Sequence, residues 1–113
     1  MRLTFLGKST QGGGSPTLYA TDRGTYVVQG WKVPDRPPTV VEIPAALLGH
    51  VEPGSRLGAE LHDTGKFWTD GNGRTWDTYI LAGAAVTNPE ALAQMDIPGY
   101  ESCVEVGREP EGH

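Results

Sequence analysis

Asp63-Thr64-Gly65 is the run that comes nearest to a catalytic signature, because an Asp-Thr-Gly triplet can supply one carboxylate of a proton-sharing acid dyad. The dyad needs apolar residues leading into the aspartate and a second copy of the chain. Here Glu60-Leu61-His62 precedes it and Lys66 follows, so a turn between two strands is the plainer reading. Gly7-Lys8-Ser9 has the ending of a phosphate-binding loop. Arg2, however, takes the place of its leading glycine, and Gly12-Gly13-Gly14 follows where a helix should begin. Asp70-Gly71-Asn72-Gly73-Arg74 starts like a calcium loop and then fails, with Arg74 at the third ligand and Leu81 where the closing glutamate belongs. His50, His62, His113 and Cys103 lack zinc spacing. Cys103 sits between Glu101 and Glu105, whose charges disfavour a thiolate, so it reads as a buried strand cysteine. The sequence therefore predicts no catalytic residue, no metal and no cofactor.

The tryptophans carry more information. Trp68 and Trp76 flank one hairpin, and a tryptophan left exposed there is the kind of residue that anchors a partner. Glu60, Asp70 and Asp77 lie close by in sequence and supply an acidic rim. These five residues form the expected partner-binding site. The reading is a non-enzymatic accessory protein that binds a basic protein partner. A small-ligand-binding β-barrel is the alternative, and a hydrolase using His62, Asp63 or Asp70 the third.

Charge and cysteine content narrow the partners and the compartment. The net charge is -5, and the nine basic residues are scattered, which disfavours direct contact with nucleic acid. No apolar run approaches the roughly 20 residues that span a bilayer, and no signal-peptide order is visible at the N-terminus. One cysteine cannot form an internal disulfide, which suits the cytoplasm. Oligomeric state leaves no mark in the sequence.

The elements that must position these residues are strands. Sixteen Gly and nine Pro in 113 residues point to short strands and turns, hence an all-β fold, a compact small barrel or sandwich with one or two short helices. Thr25-Tyr26-Val27-Val28-Gln29-Gly30-Trp31-Lys32-Val33 returns as Thr78-Tyr79-Ile80-Leu81-Ala82-Gly83-Ala84-Ala85-Val86. Each copy leads to an acidic-Ile-Pro triplet, Glu42-Ile43-Pro44 and Asp96-Ile97-Pro98, and is preceded by Thr21-Asp22 or Thr69-Asp70. Two similar β units, about 17–50 and 66–106, would together form one domain over 1–106. Residues 107–113 read as a frayed tail. Alternation makes Leu57, Ala59 and Leu61 one face of a strand. Asn88-Pro89-Glu90 opens the clearest helix. Val28, Val33, Val41, Ile43, Leu61, Ile80 and Val86 are the expected core, with Tyr26 and Tyr79 in matching environments and Gly30 and Gly83 at bends.

Ser15 to Trp31, Val41-Glu42-Ile43-Pro44, Met95-Asp96-Ile97-Pro98 and Glu101-Ser102-Cys103-Val104-Glu105-Val106 together resemble a group of small actinobacterial proteins. Members of that group tend to be encoded beside helix-turn-helix regulators. The resemblance implies a regulatory accessory role with such a regulator as the partner. It assigns no activity and carries over no catalytic residue.

Overall fold

The computed structural model describes residues 1–9 and 15–111. The expected Gly12-Gly13-Gly14 loop and His113 fall outside them. The described strands are β1 (Leu3–Lys8), β2 (Thr17–Thr21), β3 (Thr25–Lys32), β4 (Val40–Pro44), β5 (Ser55–Gly58), β6 (His62–Thr69), β7 (Thr75–Ala82), β8 (Ala84–Ala85) and β9 (Glu101–Pro110). All pairings are antiparallel, and β1 and β6 lie at the ends of the main path. The architecture is all-β, barrel- or sandwich-like, with a 3-10 turn at Ala45–His50 and one short helix, α1 (Pro89–Ala93).

Local chemistry explains most boundaries. The β2–β3 hairpin turns at Asp22-Arg23-Gly24, where Gly24 has φ 73° and the Thr21 hydroxyl accepts from the Arg23 and Thr25 amides. The β6–β7 hairpin turns at Gly71-Asn72-Gly73, locked by Asp70, whose Oδ1 accepts from the Asn72 and Arg74 amides at 2.9 Å each. Asn88 caps α1 by accepting from the Ala91 amide at 2.9 Å, with Pro89 at the first position.

Two strands change partner part-way. β3 pairs with β9 as Thr25↔Gly107, Tyr26↔Val106, Val27↔Glu105 and Val28↔Val104 and on to Trp31↔Glu101, while on its other edge β2 ends at Thr17↔Gln29 and β4 takes over as Trp31↔Glu42 and Lys32↔Val41. β7 pairs with β4 as Thr78↔Pro44, Tyr79↔Ile43, Ile80↔Glu42 and Leu81↔Val41, and β8 then meets β9 as Ala84↔Glu105 and Ala85↔Val104. The two ladders match pair for pair, with Gly30 and Gly83 at the crossing points. A β-carbon on Gly30 would lie 2.7 Å from the Glu42 carbonyl oxygen, and one on Gly83 would lie 2.6 Å from that of Glu105. Only glycine lets the strands approach this closely.

This register shifts the correspondence read from sequence. Glu42-Ile43 answers to Glu105-Val106, whereas Asp96-Ile97-Pro98 lies in the irregular segment after α1. Thr64, not Thr69, answers to Thr21: Asp63↔Tyr79 has the place of Ala20↔Tyr26. Asp63-Thr64-Gly65 is not a turn between strands but a bulge inside β6, with Gly65 at φ 78°. β5 stops at Gly58, so Ala59 and Leu61 pack at the core margin outside any strand. Gly107 to Pro110, read as part of a frayed tail, continue β9 and pair with β5.

The core lies between the ladders and comprises Leu18, Tyr26, Val28, Val41, Ile43, Leu47, Leu57, Leu81, Val104 and Val106. Val28, Val41 and Ile43 stand there as the sequence predicts. Leu81 is buried in place of Ile80, because Ile80 pairs with Glu42 on the opposite face. Val33, Leu61 and Val86 are half-buried. Tyr26 is sealed in, its hydroxyl bonded to Ser55 and Glu52, but Tyr79 is half-buried beside the edge strand β6.

Leu81→Ala should cost about 2–5 kcal/mol in urea unfolding, the range for truncating a buried leucine. Ile80→Ala should cost less than half as much. Gly83→Ala should cost on the order of 1–3 kcal/mol, because the added methyl has no room beside the β9 backbone.

Candidate functional site

The three tryptophans come together on one sheet face. Trp68 and Trp76 are directly opposite each other across β6–β7. Trp31, at the end of β3, packs on Trp68 with ring centroids 6.0 Å apart and planes tilted by 49°. Cross-strand pairing puts Trp31, Glu42 and Ile80 in one row, and alternation along β7 adds Trp76 and Thr78 to the same face. The Arg74 guanidinium lies 4.9 Å from the Trp76 ring. All three indoles are half-buried.

Of the expected acidic rim, only Asp70 belongs to this cluster. Its Oδ2 accepts from Trp76 Nε1 at 2.9 Å. That bond, with the Arg74 and Asn72 amides and the Arg74 charge, holds its carboxyl below the usual range. Asp70 therefore fixes the hairpin tip and the Trp76 ring rather than waiting free for a partner. Asp77 pairs with Phe67 and projects from the other face. Glu60 sits before β6, with its Oε2 3.9 Å from His62 Nε2. Trp31 and Glu42, from β3 and β4, complete the tryptophan face, whereas Phe67, 70% exposed, projects with Asp77 from the other; none of the three belonged to the expected site. Trp31 stands where the second copy has Ala84.

The catalytic candidates stay apart. His62 and Asp63 are neighbours on one strand and point to opposite faces, and Asp70 lies beyond them at the hairpin tip. Asp63 Oδ1 accepts from the Gly65 amide at 2.7 Å, the bond of a local turn. Among the described residues, no three His, Cys, Asp or Glu groups lie together as metal ligands, and no helix is long and apolar enough to cross a membrane.

A second polar group adjoins the tryptophans on the same face, since Glu101 on β9 is directly opposite Trp31. There the segment from α1 to Pro98 covers the strands: Ala91 is fully buried, and Gln94 bonds to the Leu3 amide and the Met1 carbonyl. Beneath it Gln29 Nε2 donates to Glu101 Oε1 and to the Asp96 carbonyl, both at 2.7 Å. Glu101 is 2% exposed, and its Oε2 has no partner, nor has Gln29 Oε1. Burial raises the Glu101 pKa, the Gln29 bond lowers it, and Asp96 raises it again, with a net upward shift. Burial likewise raises Cys103, and burial with Asp96, Cys103 and Glu101 raises Tyr19. A cavity of about 340 Å³ runs alongside, lined by Lys32, Pro38, Leu92, Ile97, Glu101 and Cys103 among others. A larger one of about 390 Å³, near Leu48, Val51, Leu57 and Leu61, is mostly apolar and touches neither group.

Comparison with protein-family models, curated proteins and solved structures finds no match for this chain. The site therefore rests on its own geometry.

The raised Glu101 pKa has a definite sign in stability. Folding favours its protonated form, so its contribution is complete below the ordinary carboxylate value of 4.5 and is lost as pH rises through the raised value. Glu101→Gln should match the parent at low pH and exceed it in urea midpoint as pH rises. Parallel curves across the whole pH range would show that Glu101 titrates normally.

Proposed function

We propose that this protein is a non-enzymatic binding module that docks a basic protein partner on its Trp31–Trp68–Trp76 face. One observation carries the reading. The two ladders share a register, yet where the first sets Ala84 opposite Glu105, the second sets Trp31 opposite Glu42, with Trp68 packed on Trp31 and Trp76 across from Trp68. The connector that could have covered these indoles, Pro34 to Pro38, is exposed and bonds sideways, the Pro38 carbonyl accepting from Ser102 Oγ at 2.7 Å. Half-buried tryptophans on an open face are the residues that dominate interface energies. We read the matching ladders as two copies of one β unit, of which only the second gathers indoles that a partner would cover.

The net charge of -5 favours a basic surface opposite. A helix-turn-helix regulator, the partner implied by the sequence resemblance, has such a surface where it meets DNA. Masking or tuning it would be a cytoplasmic regulatory role. A small-ligand site is the second reading, favoured by the cavity beside Glu101 with its unpaired carboxyl oxygen.

Binding to such a regulator should be measured across a salt series. Association should slow as salt rises, since exposed charges are screened over about 8 Å at physiological ionic strength. Trp68→Ala should raise the off-rate roughly 30-fold or more, the scale of an aromatic hot spot. No binding at micromolar concentration in low salt would end this reading and favour the small-ligand one.

A further inference from the structure

The matching ladders carry the same hydrogen-bond chain twice, and one copy lacks a member. In the first, the Thr25 hydroxyl donates to Glu105 Oε2 at 2.6 Å, and the Thr21 and Thr25 hydroxyls are 2.6 Å apart. Because a carboxylate only accepts, Thr25 gives its proton to Glu105 and receives that of Thr21. The Arg23 amide closes on the Thr21 hydroxyl at 3.1 Å, and Arg23 Nη2 reaches Glu105 Oε1 at 3.5 Å. In the second, Thr78 donates to Glu42 Oε2 at 2.7 Å, Thr64 and Thr78 are 2.5 Å apart, and the Lys66 amide closes on Thr64 at 3.0 Å. The Thr–Glu, Thr–Thr and amide–Thr contacts recur, although the bond from the Thr25 amide to Thr21 has no equivalent at Thr78. The cation does not recur: among the described residues Glu42 has no ion pair, although Lys66 stands where Arg23 does.

What stands beside the carboxylate also differs. Glu105 faces Ala84, whereas Glu42 faces Trp31, with Trp68 packed on it. Directly opposed residues on one face lie within about 5 Å at their β-carbons. Glu42 therefore sets a carboxylate directly across the strand pair from Trp31, and a carboxylate beside an indole is a combination that holds a cation. Arg74 on Trp76 shows a guanidinium already using one indole of the same hairpin.

We infer that Glu42, Trp31 and Trp68 receive one arginine side chain of the partner, which takes the place that Arg23 fills in the first ladder. Arginine fits better than lysine because its planar guanidinium can stack on an indole while donating to the carboxylate. The inference rests on the docking face proposed above and names the residue type that enters it.

The test uses a probe rather than the partner: acetyl-Gly-Arg-Gly-amide titrated into the full chain, read by the indole Nε1–H signals in NMR. The Trp31 and Trp68 signals should shift saturably at millimolar peptide. The lysine peptide should bind more weakly, and the citrulline peptide, which is neutral, weaker still. Glu42→Gln keeps an acceptor for Thr78 and should lose roughly tenfold in affinity for the arginine peptide. Glu105→Gln, whose carboxylate is already paired, should change it by less than about twofold. Lys66→Ala should do the same. The proposal is overturned by unmoved indole signals, by equal affinity in Glu42→Gln, or by a tenfold gain in Lys66→Ala, which would show that Lys66 fills the site itself. Those results would leave the partner assay above standing, since that assay reads the whole tryptophan face.

Discussion

At Gly30 and Gly83 two strands pass so near a neighbouring backbone that a β-carbon at either position would sit 2.6–2.7 Å from a carbonyl oxygen. The rest of the fold depends on these two contacts. Each lets a strand exchange its hairpin partner for another within a few residues, so β3 passes from β2 to β4 while staying on β9, and β7 with β8 passes from β6 to β9 while staying on β4. Leu81, Val28, Val41 and Val104 are thereby turned into one interior and sealed. A side chain at either crossing would push the ladders apart and open that interior along its length.

The same geometry makes two stretches of outer face that start equal and end differently. Both carry a Thr–Thr–Glu chain at the strand entry, and both lie across from the shared core. Over one, the chain following β8 folds back as α1 and its tail, held by Asn88, Gln94 and the Asp96 carbonyl. That cover places Gln29 and Glu101 out of water, and the carboxyl responds by keeping its proton to higher pH. Over the other, the connector after β3 is stiff with Pro34, Pro37 and Pro38 and stays at the rim. Indole rings from β3, β6 and β7 then do part of the covering, which leaves apolar area at the surface beside Glu42 on β4.

Asp70 shows how much of an acidic residue's meaning lies in its hydrogen bonds. As a sequence neighbour of Trp68 and Trp76 it looks like a rim charge. In the fold it is a bracket, accepting from two backbone amides and one indole, so its charge is spent on the shape of the hairpin. Glu42 is the reverse case. It sits in an unremarkable strand, far in sequence from Trp68, and lies with the tryptophans only because β4 runs between β3 and β7.

The sequence by itself determined the strand-rich class, the two hairpins, the Asn88 cap and the recurrence that marks Gly30 and Gly83. Those are local matters of turn chemistry and alternation, which depend on residues within a few positions of each other. It also held Val28, Val41 and Ile43 in the core. It could not decide between Ile80 and Leu81, because both are large and aliphatic and only the pairing with β4 says which faces in. Nor could it show that Gly107 to Pro110 are paired, since their partner β5 is remote in sequence and contributes the stabilising contacts. The grouping of Trp31, Glu42 and Trp68 was decided by tertiary structure alone. It follows from register between strands that the chain brings together only after each has turned away from its neighbour.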